Sequence, residues 1–288
     1  CASLVNMCEL PHSDKYIDMD CTFMGCSSLV IAPELPSKVS STAFALNLPI
    51  GNVTVGRMFY RTFYGCTSLA SVPDFPSEVA GAYLDSMYMR ETFYNCVSLV
   101  DLPQLPDNLK YANEVFYNTG VVDLSDYTLP RDLVSADGMF GDCSSLVNAP
   151  ELTSMLSDIT SMFEACISLT NAPKIPDGVI YMPSAFKGCR LLSKAPEISA
   201  SVTDMSYTFN GCTSLVDAPE IPASVTNMRY TFQGCTSLVN ASEIPASVTD
   251  MGYTFYNCSS LVSAPEIQDG VTNMYETFYN CKSLINAP

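Results

Sequence analysis

Histidine is all but missing from this chain: His12 stands alone among 288 residues. It has no evident acid or nucleophile companion, and no glycine-rich phosphate loop or nucleophile elbow occurs. The motif-borne routes to phosphoryl and acyl transfer are therefore absent. Basic residues are scarce as well: 13 Lys and Arg face 30 Asp and Glu, for a net charge of -17. That charge repels phosphate backbones and anionic lipid, which argues against nucleic acid and membrane-surface partners. No apolar run approaches the roughly 20 residues of a membrane-spanning helix, so membrane insertion is not expected. No signal peptide or anchor is recognisable, and the chain opens on Cys1 rather than Met, so the sequence is silent on targeting.

What the sequence has in abundance is repetition. The phrase TFQGCTSL, Thr231 to Leu238, returns as TFYGCTSL from Thr62, TFNGCTSL from Thr208 and TFYNCSSL from Thr254. Its cysteines, Cys143, Cys166, Cys189, Cys212, Cys235, Cys258 and Cys281, are each 23 residues apart. Upstream, Cys1, Cys26, Cys66 and Cys96 continue the series at wider steps, and Thr119 fills a slot before Cys143. Twelve slots cover the chain without a linker, so residues 1–288 read as a single domain: a repeat solenoid of about twelve coils, each burying its apolar side only against its neighbours. Coils 143–288 are regular and coils 26–95 irregular. At strand spacing the stack is an arc or rod of roughly 55–60 Å.

Aligned coils give columns. Phe stands three residues before the slot and Leu three after, followed by Ala, then Leu or Ile, then Val and Met. This uneven spacing suits a coil that turns several corners, with neither strict alternation nor a long helical face. Proline recurs seven and often ten residues after the cysteine, which keeps the Pro-Glu-Ile-Pro phrase out of a central ladder. Short parallel strands are expected at Ser-Leu-Val-x-Ala and Ser-Val-Thr-x-Met, and a turn or short helical piece at Tyr-Thr-Phe-x-Gly-Cys. The cysteine column is read as a ladder of buried free thiols. Stacked equivalents have poor disulfide geometry, and ligands strung along a rod do not converge on a metal. Cys8 and Cys21, off the column, are the one separate pair to consider. No cofactor is implied.

Phe-x-Gly-Cys-x-Ser-Leu followed by Ile-Pro-x-Ser-Val-Thr-x-Met resembles the BspA-like leucine-rich repeat proteins of bacterial surfaces. The Val-Thr-Asn-Met phrases at Val225–Met228 and Val271–Met274 carry the same likeness. The resemblance implies a leucine-rich-repeat β-solenoid outside the bacterial cell, binding host or cell-surface macromolecules. Similar repeats in phage tail and fibre proteins imply an alternative place in a virion. The family's shared residues are its core, so no ligand residue carries over.

Binding contacts are therefore sought in exposed columns and irregular coils. Glu9, Glu34, Asp74, Glu151, Glu197, Glu220, Glu243 and Glu266 form an acidic column. Like charges at strand spacing repel, so these should face water, as a solvated face or as a strip for a cationic partner or Ca²⁺. Tyr207, Tyr230 and Tyr253 form an aromatic column suited either to glycan or protein contact or to half-buried packing. Two insertions complete the set. Ser41–Met58 reads as two extended runs about Pro49-Ile50-Gly51-Asn52, with Asn47, Asn52 and Arg57 as candidate contacts. The second, about Ala80–Met89, offers Tyr83, Asp85 and Tyr88. The expected function is non-enzymatic binding of a protein or glycan on a cell surface. Catalysis needs a unique constellation, whereas repeats make residues plural. Neither end of the chain carries a polar cap, which predicts a segment of a longer polypeptide or flanking domains or subunits over the open ends.

Overall fold

Stacked coils are bonded to one another chiefly at one corner, where the backbone alternates between two handednesses. The computed structural model describes residues 2–5, 10, 17–35, 42–48, 51–75 and 87–286. Each repeat of Tyr-Thr-Phe-x-Gly-Cys is a turn, and no helix occurs among the described residues. Every residue five before a described cysteine slot is left-handed, from Cys21 (φ 55°) to Tyr207 (φ 58°) and Glu276 (φ 50°). So is every residue one before it. The latter slot explains the Gly-Cys pairing: Gly25, Gly65, Gly188, Gly211 and Gly234 hold φ between 71 and 77°, where a Cβ is penalised. Asn, the next most tolerant residue, fills it at Asn95, Asn118, Asn257 and Asn280. The alternation points amides in turn to the next coil and to their own. Tyr207, Phe209 and Gly211 donate to the carbonyls of Arg229, Thr231 and Gln233, while Thr208, Asn210 and Cys212 donate three residues back.

Regular strand pairing is concentrated in the irregular coils. β1 (Thr42–Leu48), β2 (Gly51–Arg57), β3 (Met87–Arg90) and β4 (Leu109–Asn113) form one sheet in that order. β1 and β2 make an antiparallel hairpin with Asn47 opposite Asn52, as the two extended runs in the first insertion foretold. β2–β3 and β3–β4 are parallel. Beyond β4 the sheet shrinks to single bridges running Tyr111, Ser135, Asp158, Tyr181, Asp204, Asn227, Asp250, Asn273. A second line of bridges joins Asp217, Asn240, Ser263 and Asn286. These are the variable positions of Ser-Val-Thr-x-Met and Ser-Leu-Val-x-Ala, so the expected strands exist but are one bridge wide. A left-handed residue three after the first line, and a proline two after the second at Pro219 and Pro265, stop each from extending.

The core is a set of rungs. Eleven phenylalanines, Phe23 to Phe278, stack face to face with centroids 5.2–5.9 Å apart. The Leu, Val and Met columns are buried beside them over the regular coils up to Leu261. All described cysteines are free; Cys8 lies outside the described residues. Each column thiol from Cys66 onward donates to the carbonyl of the phenylalanine one coil earlier, as Cys235 Sγ does to Phe209 O at 3.1 Å. Thr119, in the same slot, keeps a polar contact to Cys143 Sγ at 3.3 Å. Buried threonines do the same for the methionine carbonyls, for example Thr231 Oγ1 to Met205 O at 2.9 Å. The ladder is thus both apolar filling and a line of weak donors.

Candidate binding face

The turn corner also displays the side chains that break the repeat. Tyr207, Tyr230 and Tyr253 project from left-handed positions and stack with centroids 4.4 and 4.5 Å apart. They are partly exposed, unlike the phenylalanine rings behind them. Because each ring covers its neighbour's face, the stack offers edges and hydroxyls rather than open π surfaces. Arg229 lies over the Tyr230 ring at 5.1 Å and the Tyr253 ring at 6.0 Å, a cation–π arrangement. Tyr275 continues the column, tilted, 5.2 Å from Tyr253. A second stack, two residues before the slot, joins Tyr64, Tyr94 and Tyr117 at 4.9 and 4.6 Å. Tyr117 then passes over Gly141, where any Cβ would meet its ring at 2.6 Å, to donate to Asp142 Oδ2 at 2.7 Å. Burial and the Asp142 carboxylate push the Tyr117 phenol upward.

Toward the irregular coils this face becomes a charged network. Arg57, at the base of the β1–β2 hairpin, is paired with Asp20 at 3.0 Å and lies over Tyr60 at 4.3 Å. Asp20 also accepts the Tyr60 amide at 2.8 Å. Glu91, buried in a left-handed position, takes Arg61 on one oxygen and Arg90 on the other, both at 2.7 Å. Arg90 reaches Glu114 at 3.7 Å. One coil on, Asn113 donates to Asp137 at 3.3 Å while its own Oδ1 is buried without a partner. Burial first, then the charges of Asp158 and Glu114, push Asp137 up to about 6. Two arginines bracket Glu91, whereas Asp137 has only a distant share of Arg90.

The sequence-derived candidates fall unevenly on this geometry. Tyr207, Tyr230 and Tyr253 come together as one surface. Arg57 is on the same face but already holds Asp20. Asn47 and Asn52 are paired across the hairpin backbone. Tyr83 and Asp85 lie outside the described residues. Tyr88, expected to project from a loop, is instead in β3 and buried; its ring serves the scaffold, because its strand is the parallel bridge between hairpin and solenoid. The Arg61–Glu91–Arg90 cluster was not singled out from sequence. A buried ion pair leaves no periodic trace there, although two of its members occupy the same slot as the tyrosines. The acidic column does face water at Glu34, Asp74, Glu151, Glu197, Glu220, Glu243 and Glu266; Glu9 is outside the described residues. The polar side chains along the first line of bridges, Asp204, Asn227, Asp250 and Asn273, bond along the stack, as Asn273 does to Asp250 at 2.9 Å. No cluster of three or more His, Cys, Asp or Glu suited to a metal occurs among the described residues.

A family profile described as BspA type leucine rich repeat region matches residues 53–149, 86–193 and 205–287. The chain belongs to this family. Its fold is also that of a leucine-rich repeat protein from Bacteroides ovatus, 18% identical over 97% of this chain and 85% of that one, with a TM-score of 0.51. A T. pallidum leucine rich repeat protein is 26% identical over 56% of this chain and 74% of its own, at a TM-score of 0.48. One from Eubacterium ventriosum is 15% identical over 92% and 80%, at 0.47. Among curated proteins none matches. A BspA-type leucine-rich repeat chain is consistent with a binding module, and no helix among the described residues is long and apolar enough to cross a membrane.

Proposed function

We propose that this BspA-type repeat chain is a non-enzymatic adhesion module at a bacterial surface, holding a protein or glycan on another cell through its turn face. The observation that carries this reading is the Tyr207–Tyr230–Tyr253 stack with Arg229 laid across it. Tyr and Arg supply much of the energy of macromolecular interfaces, and here they are held rigid by stacking and by a hydrogen-bonded corner, so little side-chain entropy is lost on binding. Ring edges and hydroxyls are what a partner meets, which favours hydrogen-bonding surfaces, either polar protein patches or sugar hydroxyls. The hairpin and the Arg57–Asp20 pair extend the same face into the irregular coils.

The test is a binding screen against immobilised cell-surface proteins and a glycan array, followed by variants on whichever ligand is found. Tyr230→Ala with Tyr253→Ala should weaken binding about tenfold or more, with thermal unfolding little changed because both rings are partly exposed. Binding that survives this double change and deletion of the hairpin would reject the turn face as the site.

A further inference from the structure

Backbone bonding between the regular coils lapses on another side, at the Pro-Glu-Ile phrase. The amides and carbonyls of Glu197, Ile198, Glu220, Ile221, Glu243 and Ile244 bond to no group among the described residues. The prolines beside them supply no donor. With the turn corner bonded residue by residue and this side joined only by side chains such as Ser242, whose hydroxyl donates to Pro219 O at 2.6 Å, cavities of about 700, 480 and 350 Å³ open in series along the acidic column.

The largest cavity has apolar walls from Pro150, Leu152, Ala172, Pro173 and Pro176. Its coil reads Glu151-Leu152-Thr153-Ser154, with Leu152 where the later coils carry Ile and Thr153 where Glu220–Ala223 and Glu243–Ala246 carry Pro. Leu152 is only partly buried, whereas its equivalents Ile175, Ile198, Ile221 and Ile244 are buried. Thr153, between two wall residues, has a buried hydroxyl with no partner. The next two cavities are rimmed by Glu197, Glu220 and Glu243. These carboxylates are exposed and make no ion pair among the described residues. Lys174, the cation in the acidic column, is likewise unpaired and lines both larger cavities.

We propose that this furrow docks an extended cationic peptide carrying one aromatic or large apolar anchor. The anchor enters the Pro150–Leu152–Pro173 cavity, whose volume is in the range of small-molecule and side-chain pockets. Basic side chains that follow it meet Glu197, Glu220 and Glu243 in turn, and the peptide backbone meets the unbonded peptide groups beside those carboxylates. Lys174 opposes this partner and limits its affinity. Anionic polymers are turned away by the same carboxylates.

The experiment uses the whole chain and a fluorescein-labelled, end-capped peptide with one Trp followed by alternating Lys and Ala, read by anisotropy. Replacing the peptide Trp by Ala should weaken binding about tenfold. Glu220→Gln should weaken it about two- to fivefold, and Lys174→Glu should tighten it by a similar factor. Added salt should weaken all three. Tyr230→Ala should leave this binding unchanged, which separates it from the turn-face reading. No binding to the wild-type chain, equal binding of the Trp and Ala peptides, or weaker binding to Lys174→Glu would each overturn the proposal.

Discussion

Asp137→Asn should make this protein more stable at neutral pH. Asp137 is at the turn corner just before Cys143, with one side-chain donor, Asn113 at 3.3 Å, and two carboxylates, Asp158 and Glu114, acting on it. Burial and those charges push its acidity from the ordinary 3.8 to about 6. A carboxyl whose folded value is raised favours folding most when protonated. Its contribution is complete below about pH 4 and is lost as pH rises through about 6. At pH 7 the charged form costs the folded state on the order of 2 kcal/mol, discounted because the group is not fully buried. Asparagine removes that charge, and its amide can donate to the orphaned Asn113 Oδ1 once that side chain turns. Urea unfolding of both chains at pH 7 and at pH 4 reads the effect. The variant should gain on the order of 2 kcal/mol at pH 7 and little at pH 4. An equal gain at both values would show that charge is not the cause. A loss at pH 7 would mean that Asp137 holds a partner the geometry does not supply.

Cys189 is buried and donates to Phe163 O at 3.1 Å, a carbonyl that also accepts the Cys166 amide. Cys189→Ala should therefore cost only about 1–2 kcal/mol, mostly cavity, and Cys189→Thr, as at Thr119, less; a threonine variant worse than alanine in urea unfolding would deny the hydrogen bond any value. Burial raises Cys66 and Cys143 to about 11 and Cys212 to about 12, against 9.0 for a free thiol. Stability from these neutral thiols is complete below pH 9 and lost as pH climbs through 11 to 12, so circular dichroism should show cooperative alkaline unfolding, with few thiols titrated by a thiol reagent beforehand. Gly211→Ala, at φ 74°, should cost about 1 kcal/mol, and Gly211→Asn less, because Asn257 holds the same slot at φ 61°; equal melting temperatures for all three would remove the left-handed explanation of the Gly-Cys pairing.

Much of this architecture was written in the sequence because a solenoid repeats its contacts. Every coil meets the same neighbour, so core columns appear as letters at a fixed step: Phe232, Cys235 and Leu238 are buried as their spacing implies. The turn, the thiol ladder and the exposed acidic column followed for the same reason. The two narrow strand lines were legible as segments, not in width, since width depends on prolines and left-handed residues acting together.

What sequence could not decide lies where neighbouring coils differ. Tyr88 looked like a loop residue because an insertion surrounds it, yet pairing of β2 with β3 and β4 buries it. Glu91 and Tyr207 occupy one slot of the repeat, and only the arginines at positions 61 and 90 converging in space turn the first into a buried ion-pair centre. The furrow at Leu152 likewise needed the third dimension. Periodicity reports what each coil shares with the next; gaps, charges and stacks between unlike coils arise from distances that no single repeat contains.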